Sequence, residues 1–238
     1  LIQTAKLASV GTLAAGVAHE IGNPLAGVLG LLDALEVETE GETSKRYRAL
    51  MRTEIQRIDR IIGDLLVYAR PSEHDPNVSV SSNLEEVLTH VTTLLGAQKL
   101  FDRVDLHWNI EDGPLSVAIS HDDLTQVLIN LLLNAAQAMN GKGTIAFDAT
   151  AISNWRPGLA VVARDAVRIH VTDTGPGVAK EHADAIFDPF FSKKEEGQGF
   201  GLGLAICQSI CNRAGGEIAF DKEHQGGSRF VVTLVKTS

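Results

Sequence analysis

The chain has 238 residues, 44% of them apolar and 21% charged, enough for one or two domains with real cores and too ordinary a balance for wholesale disorder. Thirty acidic against twenty-one basic side chains leave a formal charge of -9, and no segment gathers Lys and Arg into a stripe, which argues against a nucleic-acid partner. No run reaches the roughly 18 uninterrupted apolar residues of a membrane span, since the most apolar helical stretch, Val127 to Met139, contains Asn130 and Asn134. No membrane contact is therefore expected from this portion.

The chain opens at Leu1 already in a helical pattern and without a basic, apolar leader; we expect it to come from a longer protein. Cys207 and Cys211 stand four apart in an apolar helical pattern and are expected to be buried free thiols of a reducing, cytoplasmic setting rather than a bridge or a metal site.

Two long helices come first. Leu7, Val10, Ala14, Val17, Ile21, Leu25, Val28, Leu32 and Leu35 alternate at three and four, as do Met51, Ile55, Ile58, Ile62, Leu65 and Ala69, each marking one face of a helix. A loop near Glu38 to Thr43 makes them a hairpin. Two helices cannot cover seams this long and apolar, so pairing with a second copy into a four-helix bundle is expected, which makes the protein a homodimer. The pattern stops at Arg70, and Pro71 to Asn77 has two prolines and no periodicity, so a domain boundary is placed there: residues 1–70 as the hairpin, 71–77 as linker and 78–238 as a second domain.

In that second domain the periodicities predict a helix over 83–98, strands near 104–110 and 115–119, and a helix over 121–140. Strands near 143–150 and 159–172 follow, then a glycine-rich region, a helix after Gly201, and strands near 217–221 and 228–235. This order predicts an α+β sandwich of helices on a mixed sheet rather than a doubly wound fold.

Several residues are placed where chemistry needs them. Val17 and Ile21 lie on the apolar stripe, and a residue two positions from each is turned about 200° around the helix, so His19 is expected to face solvent. Glu20 is adjacent, Asn23 lies one turn on, and Pro24 removes a helical hydrogen bond beside them, so a local kink is expected there. Asn130 and Asn134 are four apart on an apolar helix, where amides need polar partners and their carbonyls suit a hard cation. Asp173-Thr174-Gly175-Pro176-Gly177 follows a strand, a setting in which a carboxylate can accept from the exocyclic amine of adenine or simply close a turn.

Gly197 to Ile206 carries glycines into a helix start, which favours phosphate. It follows no strand and opens no early βαβ unit, so the dinucleotide fingerprint is rejected. Phe187-Asp188-Pro189-Phe190-Phe191-Ser192-Lys193 reads as an aromatic hinge followed by cations, either a lid or a packed loop.

Together and in this order, these residues closely resemble the transmitter core of a two-component sensor histidine kinase, over essentially the whole chain. His19-Glu20-Ile21-Gly22-Asn23-Pro24-Leu25 is similar to the phosphoacceptor box of the dimerisation and histidine-phosphotransfer hairpin. The segment around Asn130 and Asn134 resembles the Asn box, Asp173 to Gly177 the first Gly box, Phe187 to Phe191 the Phe box, Gly199 to Gly203 the second Gly box, and Gly226 to Phe230 the last glycine segment.

The resemblance implies a Bergerat-type, GHKL-like ATP-binding domain. It would hold ATP and Mg²⁺ through Asn130 on the metal, Asn134 and Ser228 near the phosphates, and Asp173 on the adenine amine. Gly175, Gly177, Phe187, Lys193, Gly199, Gly201 and Gly203 would shape the nucleotide pocket and its lid. His19 would attack the γ-phosphate with Glu20 as its base, the phosphoryl group would pass to the receiver domain of a response regulator, and Asn23 would serve a phosphatase activity on that regulator. The full-length protein could be soluble or membrane-anchored through an N-terminal sensor region.

Phe200 stands where many members of that family have a polar residue, and residues 152–164 look longer than a strand connection needs. Two rivals are weighed: an ATPase of the same nucleotide fold, like gyrase or the heat-shock chaperones, and a nucleotide-binding scaffold without catalysis.

Overall fold

The computed structural model describes residues 21–35, 41–69, 80–111, 113–157, 162–192 and 201–237. Of the expected features, the first-helix residues Leu7 to Glu20, the centre of the hairpin loop, the linker 71–77, and Lys193 and Gly199 lie outside these residues. The chain divides into two compact units, Leu1–Arg70 with Pro189–Leu202, and Pro71–Asp188 with Gly203–Ser238.

In the first unit, α1 (residues 21–35) and α2 (Glu42–Ala69) are the two helices of the hairpin. Pro24, Val28 and Met51 are buried and Ile61 is fully so, while Gly27 on α1 has the Glu54 side chain of α2 alongside it. The structure corrects the single stripe expected on each helix. Leu25, Leu29 and Leu32 on α1, and Leu50, Ile55 and Ile62 on α2, are exposed. The apolar arc of each helix thus contains two seams, one turned to the hairpin partner and one turned outward. Pro24 lies within a continuous helix from residue 21 onward.

In the second unit, β1 (Ser82–Asn83) leads into α3 (Leu84–Gly96), whose start is fixed chemically: the Asn83 side chain accepts from the Glu85 and Glu86 amides, and both carboxylates sit where the helix dipole favours them. A short turn, β2 (Arg103–Ile110) and β3 (Ser116–Val117) precede α4 (His121–Ala138), capped by Ser120 on the Asp123 amide. Then come β4 (Lys142–Trp155), β5 (Arg164–Asp173), α5 (Gly203–Arg213), β6 (Glu217–Phe220) and β7 (Arg229–Thr237).

Among the described residues, seven strands form one sheet in the order β1-β3-β7-β5-β4-β2, with β6 on β7. Every pair is antiparallel except β2 with β4. One face carries Ile145, Phe147 and Ala149 on β4, Val167, Ile169 and Val171 on β5, and Phe230, Val232 and Leu234 on β7, all buried. Against it lie the buried faces of α4 and α5. At about 1.5–3 kcal/mol for each large apolar side chain taken from water, this layer is what fixes α4 relative to the sheet. The expected sandwich of helices on a mixed sheet is therefore found.

One boundary differs substantially. Residues 152–155, expected within a loop, continue β4 through a register shift between Ile152 and Trp155. Asn154 takes a left-handed conformation there (φ 60°), and the half-turned chain buries Trp155, whose indole nitrogen donates to Glu217 at 3.3 Å. The long β4–β5 connection is thus in part a continuation of β4 past a bulge, with Trp155 paired to Arg164 of β5 and its indole held by Glu217 of β6. Cys207 and Cys211 are buried and unbridged, as expected; burial pushes the Cys207 thiol up to about 12, so neither is a ready nucleophile. Among the described residues no helix is long and apolar enough to cross a membrane.

Candidate functional site

The site is built on one face of α4. Asn130, Asn134 and Ala138 follow one another at four-residue spacing, so they line a single stripe, spanning about 12 Å of helix at 1.5 Å per residue. At one end the carboxamides of Asn130 and Asn134 lie beside Gly203, the first residue of α5. A side chain added at Gly203 would meet Asn130 Oδ1 and Asn134 Nδ2, both at 3.8 Å. The amides are half-buried rather than sealed in the core. Asn130 Nδ2 donates to the Gly203 carbonyl at 3.2 Å, and Gln126 Nε2 donates to Asn130 Oδ1 at 3.4 Å.

At the other end, Ala138 and Met139 reach the glycine loop after β5. A Cβ on Gly175 would sit 2.8 Å from Asp173 Oδ1, with Met139 Cγ at 3.3 Å and Ala138 Cβ at 3.6 Å, so a side chain there would displace the carboxylate. Thr174 Oγ1 accepts from the Thr144 amide at 3.0 Å and lies 3.4 Å from Met139 Sδ, which ties this loop to the start of β4. Met139, Thr174 and Gln126 belong to the site and were not singled out from the sequence. The signal available for Gln126 was its place one turn before Asn130 on the same face.

Asp173 ends β5 almost completely buried. Its Oδ1 accepts two backbone N–H groups, from Gly175 at 2.8 Å and from Ser228 at 3.2 Å, and its own amide donates to the Ser228 carbonyl at 2.9 Å. One carboxylate oxygen is thus held by the loop on each side, and the carboxylate keeps acceptor capacity on Oδ2. Buried Ser228 serves here through its backbone, and Gly177 approaches the Gly227 carbonyl so closely that a Cβ would lie 3.0 Å from it. Phe187 packs edge-on against Phe230 of β7, with ring centroids 6.3 Å apart.

In the first unit, Phe190 donates its amide to the Gly201 carbonyl at 3.1 Å. Phe190 and Gly201 are both left-handed (φ 66° and 67°), and a Cβ at Gly201 would lie 2.4 Å from the Phe191 carbonyl oxygen. The two ends of the segment that contains Lys193 and Gly199 are thereby held together. His19 and Glu20 precede the described residues, and Asn23 is exposed on α1.

The donor set can be tested against a nucleotide and its metal. Among the described residues no three His, Cys, Asp or Glu side chains gather into a metal cluster. The available ligand is a neutral amide oxygen, Asn130 Oδ1, which engages one long hydrogen bond and has a second lone pair. That donor fits a hard cation whose other ligands are waters and phosphate oxygens.

Comparisons with known proteins agree with this geometry. Residues 119–238 match the family described as histidine kinase-, DNA gyrase B- and HSP90-like ATPase, and residues 9–74 match the His kinase A (phospho-acceptor) domain. The sensor histidine kinase ZraS of Salmonella typhimurium is 35% identical over 96% of this chain, which spans 46% of that protein; the chain thus spans about half the length of such a relative. The histidine kinase ThkA, solved in complex with the response regulator TrrA, superposes with a TM-score of 0.72 at 27% identity over 98% of this chain and 64% of that one. ShkA, solved with AMPPNP, gives 0.65 at 26% identity over 94% of this chain and 45% of that one. The chain belongs to the histidine kinase-, gyrase- and HSP90-like ATPase family and carries a phospho-acceptor domain ahead of its ATPase domain, the order of a two-component histidine kinase transmitter core.

Proposed function

We propose that this core phosphorylates itself on His19 with ATP and passes the phosphoryl group to an aspartate of a response-regulator receiver domain. The observation that carries the reading is one chain holding both a phospho-acceptor domain and an α4 stripe with amides at one end and, beside its other end, the glycine loop that holds the buried Asp173 carboxylate. The domain division follows: residues 1–70 accept the phosphoryl group, 71–77 link, and 78–238 bind ATP.

Asp173 accepts from the adenine amine through Oδ2, while Gly175, Gly177 and Met139 bring backbone and a flat apolar surface to the base. Asn130 and Asn134 face the phosphates, with Gly199, Gly201 and Gly203 supplying amides and Lys193 a cation. Asn130 would hold Mg²⁺, which would supply charge neutralisation on the phosphates. A ring nitrogen of neutral His19 attacks the γ-phosphorus, the bond to the β–γ bridging oxygen breaks, ADP leaves, and Glu20 takes the proton from the other ring nitrogen. An aspartate oxygen of the receiver later forms the new bond to phosphorus as the N–P bond breaks, and the imidazole regains a proton. The outward seams of α1 and α2 pair with those of a second copy, which makes the working unit a homodimer.

The nucleotide assignment is tested by Asp173→Asn, which removes the anionic acceptor and can set an amide donor against the adenine amine. Losing a charge-assisted hydrogen bond costs about 1.5–3 kcal/mol, so calorimetry should show ATP affinity falling roughly 10- to 100-fold. Unchanged affinity would place adenine elsewhere.

Asn23 is assigned to dephosphorylation of the regulator, because it lies one turn beyond His19 and an amide can orient an attacking water without acting as a strong base. In Asn23→Ala the phosphate of a phosphorylated receiver, assayed with ADP, should persist longer while labelling of His19 stays largely intact. Equal loss of both activities would make Asn23 structural.

A further inference from the structure

Only one side of the Asn130 carboxamide, its oxygen, can face a cation, and two contacts decide which side is presented. The Nδ2 group donates to the Gly203 carbonyl at 3.2 Å, and Oδ1 receives Nε2 of Gln126 at 3.4 Å. Turning the amide over sets the Asn130 oxygen against the Gly203 carbonyl oxygen, and it sets one NH₂ group against another unless the Gln126 carboxamide turns with it. The two contacts differ in origin. Gly203 is the first residue of α5, whereas Gln126 stands one turn before Asn130 on α4 itself, where residues four apart meet face to face.

Gln126 therefore holds the amide by a contact internal to the helix, independent of where α5 begins. Its long bond uses one lone pair of Oδ1 and leaves the other. Cys207 of α5 is fully buried against the same helix, its thiol 3.8 Å from the Val127 carbonyl.

We infer that Gln126 is a positioning residue for the metal-dependent step, fixing the Asn130 carboxamide with Oδ1 toward the phosphate side of the site. The inference rests on Asn130 being the cation ligand. Groups that orient a metal ligand typically contribute about 10- to 100-fold to metal affinity, and a neutral amide pair at this distance belongs near the lower figure.

The test compares Gln126→Met and Gln126→Leu, which keep side-chain bulk but have no donor, with Asn130→Ala, all in the full chain. Two readouts are taken: ATP affinity by calorimetry with Mg²⁺ and with a chelator, and the Mg²⁺ concentration giving half-maximal labelling. Both Gln126 variants should lose most of the Mg²⁺-dependent gain in ATP affinity and need about tenfold more Mg²⁺, with chelator-measured affinity and melting temperature unchanged. The double variant with Asn130→Ala should be no worse than Asn130→Ala alone. Should Asn130→Ala shift the Mg²⁺ dependence and the Gln126 variants not, the positioning role is overturned and the ligand assignment stands. Should Asn130→Ala leave the Mg²⁺ dependence unchanged, both fail. Equal loss of affinity with and without Mg²⁺ in the Gln126 variants would show a packing role and overturn the inference.

Discussion

His19→Gln should reduce acid-labile labelling by ATP to background while leaving ATP affinity unchanged. The glutamine keeps a polar, helix-compatible side chain of similar reach but has no nucleophilic ring nitrogen, so the N–P bond cannot form. The residues assigned to the nucleotide begin at Asn130 on α4 and continue through the loops after β5 to Ser228, all in sequence far from residue 19, so the substitution is not expected to alter them. His74, His90, His107, His121, His170, His182 and His224 are not followed by the Glu and Asn that accompany His19. His170 sits on the polar face of the sheet, its pKa lowered by burial and then by Arg229 and Arg168. Tryptic mapping of phosphohistidine under neutral conditions checks the assignment, and label persisting on another histidine in the variant would refute it.

Gly227→Ala should abolish ATP binding, and here the reason is purely steric. Gly227 has φ 138°, and a Cβ placed on it would lie 1.7 Å from the Asp173 carbonyl oxygen, 2.7 Å from the Asp173 carbonyl carbon and 3.2 Å from Thr174 Cα. All three are backbone atoms and cannot swing aside. Relief requires parting the end of β5 from the chain entering β7, where the Asp173 amide donates to the Ser228 carbonyl and the Ser228 amide donates to the Asp173 carboxylate. The strained conformation adds about 1–3 kcal/mol. Calorimetry should show ATP binding weakened beyond 100-fold, a loss of at least about 2.7 kcal/mol, with the sheet still folded by circular dichroism. Affinity within a few-fold of the parent would mean that the Asp173 loop does not carry the base.

The pattern of legibility follows from what a sequence encodes locally. Helix α4 could be read to within two residues because Ser120, Asp122 and Asp123 mark its start and its apolar spacing is sustained. The site amides stood out for the complementary reason, two Asn on an apolar stripe. Partner choice was not legible: period-two alternation says which face a strand buries, not that β2 pairs parallel to β4 while all its neighbours pair antiparallel. In the hairpin one apolar arc served two seams, so Leu25 and Val28 looked equivalent although the hairpin buries only Val28. Ile62 likewise lies on the apolar repeat yet is exposed, whereas Ile61, a single step around the helix, is fully buried.

Trp155 was hidden because Asn154 and Pro157 read as loop chemistry, whereas the left-handed Asn154 lets the strand turn and bury the indole. Within the candidate site, residues whose side-chain type carries the argument, such as Asp173 and Asn130, stand out in the sequence. Those acting through another residue do not. Gln126 reads as a solvated helix position until its contact with Asn130 is seen, and Thr174 as filler in a turn until its hydroxyl is found receiving the Thr144 amide.

Proteins of the same nucleotide fold that hydrolyse ATP to drive movement would use the Asp173 and Asn130 ends of the site in the same way, so nucleotide binding alone does not separate them from a kinase. The separating measurement is the fate of the γ-phosphate. The chain is incubated with γ-labelled ATP and Mg²⁺, split between acid and alkali, and chased with receiver domains. The account predicts label on the protein that is lost in acid, kept in alkali, mapped to His19 and transferred to a receiver aspartate with release of unlabelled chain. Conversion of ATP to ADP and free phosphate at a comparable rate, with no alkali-stable label on the protein, would contradict it.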